Sequence, residues 1–489
     1  MKKILMMILP LVLLTACVDS LDDWNVDKKR ASAVPASTLF TNATKGVIDI
    51  LTTPNVNLNN YRMFVQYIAT TTYLDEPRYN MTARTYSQGF WQAIYRDVLA
   101  DLKEAKKLVA ADASLVAEVK NNQLAMIGIM EVYAWSTLIN TFGDIPYTEA
   151  LDPNNSLPKY DDAETVYNDL LTRLDAALAS LTTGQPSFGA ADLLYGGSAA
   201  QWVKFGNSLK LRMGMLLADQ NNAKAKSVVE SAAADLTKLI TVNSDNARFP
   251  YISAPPNNNP ISANLNPLFS AREDFVIASA IVDKMNADND PRRQFYFTMV
   301  DSDGDGAIDD FEGGEYGFSN DYASFSHVSN KIIEPTFPAF FIDAAEVNFL
   351  LAEAIERGYT VGGTAASYYD AAITQSILYW GGSAADATTY LAQASVAYAT
   401  ATGTYKQKIG TQKWIALYNR GWDGWVEWRR LDFPVLAPPS GPSIPDPLSI
   451  PMRMIFPVSE QTQNGTQWQA AAAKYNSDSP NSKLFWDKN

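Results

Sequence analysis

Apolar residues recur at three- and four-residue steps along the first half of this chain. Two such stripes are Trp91, Ile94, Tyr95, Val98, Leu102, Ala105 and Val109, and Val166, Leu170, Leu174, Ala177 and Leu181. Because an α-helix makes one turn every 3.6 residues, this spacing collects the apolar side chains on one helix face. The pattern predicts amphipathic helices through residues 37–219, and residues 115–142, which are apolar almost all round, predict an inner helix.

Helix start signals support this interpretation. Asp161 and Ser198 each stand three residues before an acid or an amide, Glu164 and Gln201, which is the spacing of an N-cap and its partner. Further helices are predicted at residues 223–239, 272–285, 344–357, 365–380 and 459–473.

Two proline-rich stretches separate these helices. Proline forbids continued helix, so residues 250–267 and 434–457 are predicted to be loops. Helix–turn–helix pairs recur, but without a strict 34-residue period, so any tetratricopeptide-like repeat is degenerate. The sequence therefore predicts an all-α fold with long irregular loop insertions.

The N-terminus has the pattern of a signal peptide. Lys2 and Lys3 precede an apolar run over residues 4–14, which is too short to cross ~30 Å of hydrocarbon. Thr15 and Ala16 stand directly before Cys17, an arrangement that resembles a bacterial lipoprotein box, in which the cysteine becomes the acylated N-terminus. An ordinary secretory signal with a chance cysteine is the alternative.

The predicted organisation follows from that cleavage point. We expect a signal peptide over residues 1–16, a lipidated tether over 17–35 and a single ligand-binding domain over 36–489. Three acidic residues behind the cysteine resemble the surface-export signal of Bacteroidota lipoproteins: Asp19, Asp22 and Asp23. The expected location is the outer membrane, with the body facing outward.

Composition excludes several classes of site. The formal net charge of −14 repels phosphate backbones, so nucleic acid is not an expected ligand. A single cysteine and a single histidine exclude a disulfide, a cysteine–histidine zinc cluster and a two-histidine metal site. A Ser–His–Asp triad would need His327, and carboxylate chemistry stays possible.

One segment has a metal-binding signature. Residues 301–312, DSDGDGAIDDFE, match the twelve-residue calcium-loop pattern at every position. The predicted ligands are Asp301, Asp303, Asp305, the carbonyl of Ala307, Asp309 and Glu312, with Gly306 at the sharp turn. Residues 294–300 look β-like rather than helical, which favours a structural Ca²⁺ ion over a sensor. An acidic surface turn without metal is the alternative.

A series of short sequence motifs resembles those of a known family. They are TFGDIPY at 141–147, PKYD at 158–161, WVKFGNSLKLR at 202–212, NDPR at 289–292, AEVNFLLAEA at 345–354, QKWIAL at 412–417 and EWRR at 427–430. In this order they resemble the SusD/RagB family of outer-membrane nutrient-binding lipoproteins, in particular its SusD-like subgroup. The resemblance implies degenerate tetratricopeptide-like helix pairs, binding without catalysis, and partnership with a SusC-like TonB-dependent transporter.

The resemblance also implies that loops on one face form the ligand site. In this chain that position corresponds to residues 70–87, and residues 313–325, an aromatic loop next to the predicted calcium site, are a second candidate wall. The candidate ligand-binding residues of the two segments are Tyr73, Arg78, Tyr79, Asn80, Tyr316, Tyr322 and Phe325. Packing of these aromatic rings onto the core is the alternative for any one of them, and 250–267 is the next candidate loop. For Trp414, Trp422, Trp425 and Trp428, core packing is favoured over a sugar platform.

The leading functional interpretation is a surface lipoprotein that captures an oligosaccharide and delivers it to the transporter. Peptide cargo is the nearest alternative. An all-α glycoside hydrolase is a second alternative, but it needs a pair of carboxylates, which nothing in the sequence marks. A third alternative is a scaffold that binds peptide segments through its helix pairs.

Overall fold

A computed structural model describes residues 34–444 and 448–488. The predicted signal peptide, Cys17 and almost all of the predicted tether lie outside these residues, so those expectations stay predictions, as does the single domain over 36–489. In the part of the chain that is described, no helix combines the length and hydrophobicity of a membrane span.

Helices dominate the described structure. The first eight are α1 (Ala36–Thr52), α2 (Tyr61–Phe64), α3 (Tyr86–Gln92), α4 (Ala100–Ala111), α5 (Ala117–Phe142), α6 (Ala163–Ser180), α7 (Ala199–Leu216) and α8 (Asn222–Ala232). A π-helical turn, Ala93–Leu99, joins α3 to α4. The next ten are α9 (Pro260–Leu265), α10 (Ser279–Ala287), α11 (Arg293–Tyr296), α12 (Ala344–Glu356), α13 (Ala365–Trp380), α14 (Ala384–Leu391), α15 (Tyr405–Ala416), α16 (Gly421–Leu431), α17 (Val458–Gln463) and α18 (Gly465–Lys474).

These helices pack mainly in pairs. Helix α5 packs on α6, α7 on α8 and α12 on α13, and α5 is buried on nearly every side over its second half. The predicted fold class, all-α with tetratricopeptide-like helix pairs and long loop insertions, is confirmed. Gly143 caps the C-terminus of α5 with a φ of +87° that only glycine adopts freely, and a Cβ there would lie 2.2 Å from the Tyr475 hydroxyl.

Several predicted helix boundaries are wrong. Ser198 caps α7 as expected, but Asp162 rather than Asp161 caps α6, by accepting from Thr165 N, while Asp161 binds the preceding loop. The helix predicted over 223–239 ends at Ala232. The one predicted over 459–473 is interrupted at Asn464, between α17 and α18.

The helix predicted over residues 272–285 is wrong in its first half. Residues there form strand β5 (Phe275–Ile277), and α10 begins only at Ser279. Strand β5 pairs antiparallel with β1 (Ile68–Thr70), with Ile68 opposite Ile277. The branched side chains of Val276 and Ile277 favour this pairing. The other strands form two small sheets: β2 (Ile145–Pro146) with β3 (Tyr160–Asp161), and β4 (Ala247–Phe249) with β6 (Ala339–Ile342).

Buried charges join the central helices. Arg212 on α7 and Arg420 before α16 both donate to the Glu346 carboxylate on α12, at 2.5–2.7 Å. Two turns further along α12, Glu353 accepts from both Nη atoms of Arg430 on α16, at 2.5 and 2.6 Å. These pairs fix the register of three helices against one another, because each charge would be costly to leave unpaired.

The tryptophan cluster belongs to the core, as predicted. Trp414, Trp422 and Trp425 are buried and Trp428 is half-buried. The Arg429 guanidinium lies 3.5 Å from the Trp425 ring centre, so this arginine packs against the tryptophan cluster. Near the C-terminus, Trp486 is buried in the same hydrophobic cluster as Phe40 of α1 and donates from Nε1 to Asn140 on α5.

Candidate functional site

The β1–β5 pairing brings the two predicted ligand loops together. Strand β1 leads directly into residues 70–87, and Asn320 Nδ2 donates to the Thr70 carbonyl at 3.0 Å. Arg78 Nε donates to the Gly317 carbonyl at 2.9 Å. The two segments therefore form one continuous wall, although nearly 240 residues separate them along the chain.

Two of the predicted aromatic residues lie beneath this wall. Tyr79 and Tyr316 are 9% and 7% exposed, and their ring centres are 6.3 Å apart. Burial raises the pKa of Tyr79 to about 12 and that of Tyr316 as well. Neither ring offers a surface to a ligand in this conformation, so their place is in the floor that supports the loops.

The other loop residues have local partners. The Arg84 guanidinium covers the Tyr73 ring at 4.8 Å, and Asn80 Nδ2 donates to Asp75 at 2.9 Å. Phe325 is half-buried against the core. The assignment of these residues as ligand contacts stays a prediction.

A cavity of about 110 Å³ opens next to the wall, and Tyr322 is the one predicted ligand residue among those lining it. We call it the Tyr322 cavity. Its other lining residues are Leu265, Pro267, Arg272, Asp274, Phe275, Thr298, His327, Val328, Asn330 and Ile333. Leu265 and Pro267 come from the proline-rich segment 250–267 that the sequence marked as the next candidate loop, although Leu265 is the last residue of helix α9.

A stacked pair of rings forms one side of the Tyr322 cavity. The Tyr322 and His327 ring centres are 3.7 Å apart and their planes differ by 15°. His327 Nε2 lies 2.6 Å from the Tyr322 carbonyl oxygen, which can only accept, so Nε2 carries the proton. Burial lowers the pKa of His327, so the ring is neutral at pH 7 and Nδ1 is an acceptor.

The opposite charges at this cavity offset each other. Arg272 Nη1 lies 3.2 Å from Asp274 Oδ2. The Asp274 carbonyl accepts from Thr71 N at 3.0 Å, which ties the pair to the first predicted loop. The sequence did not single out Arg272, Asp274 or Asn330 as ligand residues, and it marked His327 only as a triad candidate. The one sequence feature that could have indicated this stacked pair is a single histidine five residues after a tyrosine.

Two larger clefts open elsewhere. One, of about 480 Å³, has a largely aliphatic lining that includes Val34, Leu108 and Leu115. The other, of about 270 Å³, is lined by two lysines and several amides and hydroxyls, with Tyr369 buried at its base. Neither combines an accessible pair of stacked rings with planar polar groups, so we take the smaller Tyr322 cavity as the candidate site.

The acidic loop brings three of its predicted metal ligands together. Carboxylate oxygens of Asp301, Asp303 and Asp305 lie within 4.8 Å of one another. Backbone N–H groups hold them, as Gly304 and Gly306 donate to the two oxygens of Asp301 at 2.8 and 3.0 Å. Ala307 lies in the same loop, but Asp309 and Glu312 are outside this three-carboxylate group.

The acidic loop is joined to the Tyr322 cavity. Val300 and Asp310 exchange backbone hydrogen bonds and close the loop at its base. The backbone carbonyl oxygen of Glu312 accepts from Ser326 N at 2.8 Å, and Thr298 donates from its backbone N to His327 O at 2.9 Å. The segment that carries His327 is thus held from both ends of the loop.

Comparison with known proteins decides the family. The sequence model of the SusD-like_2 family, which is described as starch-binding and associating with the outer membrane, matches residues 28–457. The chain belongs to this SusD-like family. The family resemblance inferred from the short sequence motifs is confirmed. No curated protein matches the chain.

Solved structures share the SusD-like fold along nearly the whole chain. A SusD homologue from Bacteroides uniformis is 26% identical, with a TM-score of 0.75 over 92% of this chain and 99% of that one. A SusD-like protein from Bacteroides thetaiotaomicron is 23% identical, with a TM-score of 0.76 over 93% and 99%. A chitin-binding SusD homologue from Flavobacterium johnsoniae is 24% identical, with a TM-score of 0.75 over 92% and 99%.

Proposed function

We propose that this SusD-like chain binds an oligosaccharide at the Tyr322 cavity. The observation that carries the proposal is the stacked Tyr322–His327 pair beside planar polar groups, since sugars present apolar C–H faces to rings and hydroxyls to planar donors and acceptors. The starch-binding description of the family and the chitin-binding name of one relative support a glycan as the ligand.

The charges favour a neutral glycan. Asp274 offsets the charge of Arg272, and His327 is neutral, so the cavity offers no net positive charge to an anionic sugar. The molecule as a whole carries a formal charge of −14, which opposes the approach of polyanions.

The proposed function is binding without turnover. Glycoside hydrolysis commonly uses two carboxyl groups, roughly 5–9.5 Å apart, on either side of the scissile bond. Asp274 is the one acid among the residues that line the cavity, and it pairs with Arg272. The residues that line this cavity therefore provide no pair of carboxyl groups to a bound glycan.

We further propose that Cys17 anchors the protein to the outer membrane, facing outward, and that the bound glycan passes to a SusC-like TonB-dependent transporter. The lipoprotein-box pattern supports the anchor, and the family description supports the membrane. A lipid anchor at Cys17 would place the binding body at the membrane that holds such a partner.

A structural Ca²⁺ ion in the acidic loop is also proposed. The convergence of Asp301, Asp303 and Asp305 fits the first half of the twelve-residue pattern, and hard carboxylate oxygens suit this ion. With the Ala307 carbonyl, Asp309 and Glu312 added, the loop offers the predicted ligand set. The ion would offset the repulsion among the carboxylates.

Native electrophoresis in gels containing starch, soluble chitin derivatives, pectin or peptides tests the function. We expect retardation by a neutral glycan, loss of retardation in Tyr322→Ala, and no change in Tyr405→Ala, a half-buried tyrosine that does not line the cavity. Chromatography of the same mixtures over time should show no cleavage products. Retardation by peptides alone would point to a peptide carrier.

A further inference from the structure

We propose that the cleft of about 270 Å³ with Tyr369 at its base is a second binding site. Its ligand is a sugar acid, a small molecule that carries several hydroxyl groups and one carboxylate. We call this site the Lys408 cleft. It shares no lining residue with the Tyr322 cavity, so the inference does not depend on the proposed function.

The Lys408 cleft is positively charged in a molecule that is acidic overall. The chain has a formal net charge of −14, yet Lys284 and Lys408 line the cleft and, among the described residues, no aspartate or glutamate does. Lys284 Nζ lies 2.8 Å from Oδ2 of Asp288, a buried residue, so this carboxylate offsets one of the two charges. The charge of Lys408 is the one that remains.

Lys408 has no carboxylate partner within the part of the chain that the structure describes. Its Nζ donates to the Tyr398 carbonyl oxygen at 2.8 Å, which uses one of the three N–H donors of the ammonium group. The side chain is half-buried, so a ligand oxygen that accepts from it is partly shielded from water. The two remaining donors are suited to an anion in the cleft.

One uncompensated positive charge matches a monoanion. A carboxylate has an ordinary pKa of about 4 and so carries a single negative charge at pH 7, whereas a phosphate monoester carries about −1.5 to −2. The net charge of the whole molecule opposes a distant anion, but salt screens charges that lie more than about 8 Å away at physiological ionic strength. The lysine in the cleft therefore dominates at contact distance.

Gln412 supplies an amide donor in a fixed orientation. It lines the cleft and is 3% exposed. Its Oε1 accepts from Arg292 Nη2 at 3.1 Å, and Arg292, which can only donate, is itself buried and paired with Asp290. Gln412 Nε2 must then be the other end of the amide, where it donates to Tyr390 Oη at 2.9 Å. Its second hydrogen has no acceptor among the described residues and remains for a ligand.

The rest of the lining fits a polyhydroxy compound. Three hydroxyl groups line the cleft and make no hydrogen bond within the described chain, those of Ser395, Thr402 and Thr411. The rings of Tyr369 and Phe433 add an apolar surface for C–H groups. Because pockets for drug-sized ligands measure roughly 300–1,000 Å³, a cleft of about 270 Å³ suits a single small molecule.

Calorimetry on the full mature chain, with glucuronate, glucose and acetate as probes, tests the site. Glucose has the hydroxyl groups of glucuronate without the charge, and acetate has the charge without the hydroxyl groups. We expect one glucuronate to bind per chain, and glucose and acetate to bind at least about tenfold more weakly, a difference of about 1.4 kcal/mol. Tyr322→Ala should bind glucuronate as the wild type does, because Tyr322 does not line this cleft.

Two variants test the assigned residues. Lys408→Gln should weaken glucuronate binding about tenfold, and Thr411→Val, which removes a hydroxyl at nearly constant volume, should weaken it several-fold. Lys103→Gln is the matched control, because Lys103 Nζ also donates to a backbone carbonyl, that of Leu151 at 2.7 Å, but does not line the cleft. Circular dichroism checks that each variant is folded, and Thr411→Val carries the test if Lys408→Gln does not fold.

The outcomes separate this site from the Tyr322 cavity. The proposal is overturned if glucuronate does not bind, if it binds no better than glucose, or if folded Lys408→Gln and Thr411→Val bind it as the wild type does. Loss of glucuronate binding in Tyr322→Ala would move the site to the Tyr322 cavity. Acetate that binds as tightly as glucuronate would overturn the assignment to a sugar acid. Absence of glycan retardation in native gels would refute the proposed function alone.

Discussion

Glu353 illustrates how single residues in this protein carry charge inside the core. Its side chain is fully buried, and it accepts hydrogen bonds from Arg430 and, at 2.8 Å, from Arg357 Nε. Burial by itself raises the pKa of Glu353, but the charges of Arg430 and Arg357 outweigh it and lower this pKa to about 2. The carboxylate is therefore charged throughout the physiological range.

Glu353→Gln should destabilise the protein strongly. The change removes the carboxylate charge that the buried Arg430 and Arg357 share, and loss of a buried ion-pair partner costs about 3–5 kcal/mol of unfolding free energy. Urea denaturation followed by circular dichroism measures the loss. Glu356→Gln, at an exposed position on the same helix, should change this free energy by less than about 0.5 kcal/mol.

The same residue predicts a pH dependence. Because the pKa of Glu353 is about 2 in the folded protein and 4.5 is its ordinary value, its stabilising contribution is fully present above pH 4.5 and is lost as the pH falls from 4.5 towards 2. The difference in unfolding free energy between wild type and Glu353→Gln should narrow over that interval. A difference that stays constant from pH 7 to pH 3 would contradict this origin.

At the scale of elements, the sequence predicted those that depend on local pattern. Helices α5, α12 and α13 lie within two residues of their predicted ends, because their apolar periodicity and caps are local signals. Strand β5 was missed, because its partner Ile68 lies about two hundred residues away. The Tyr322 cavity was missed for the same reason, as Arg272, Thr298 and His327 meet only after three separate segments fold together.

The acidic loop gives a prediction at this scale. An ion that binds only the folded loop stabilises the protein by RT ln(1 + [L]/Kd), so removal of Ca²⁺ by EDTA should lower the melting temperature. Asp305→Asn should reduce that response, because it removes one charge from the three-carboxylate group. Equal melting with and without EDTA, together with no calcium by elemental analysis, would refute the ion.

At the scale of the whole molecule, the described body and the predicted anchor are separable. The candidate glycan site lies within residues 265–333, whereas membrane attachment is assigned to Cys17. The sequence identified the family from short motifs, because each motif is a local pattern. It also located the loop face. It did not locate the cavity, because the residues that line a cavity come from segments far apart in the chain.

Cys17→Ala should release the protein from membranes. Without the thiol no acyl chain can be attached, and about 0.8 kcal/mol of membrane affinity is lost for each CH₂ that is no longer buried. Fractionation of cells that express the variant should find it outside the membrane pellet, still able to bind the same glycan in native gels. Unchanged membrane fractionation would argue against the anchor.

The position of Trp486 has a consequence for folding. Its ring belongs to the same hydrophobic cluster as Phe40, so the first described helix and the last residues of the chain contribute to one core. Domains of other proteins begin to fold while their C-terminal residues are still being synthesised, but this cluster is complete only when residue 486 is present. If the proposed signal peptide directs export, the finished core would form only after nearly the whole polypeptide has crossed the inner membrane.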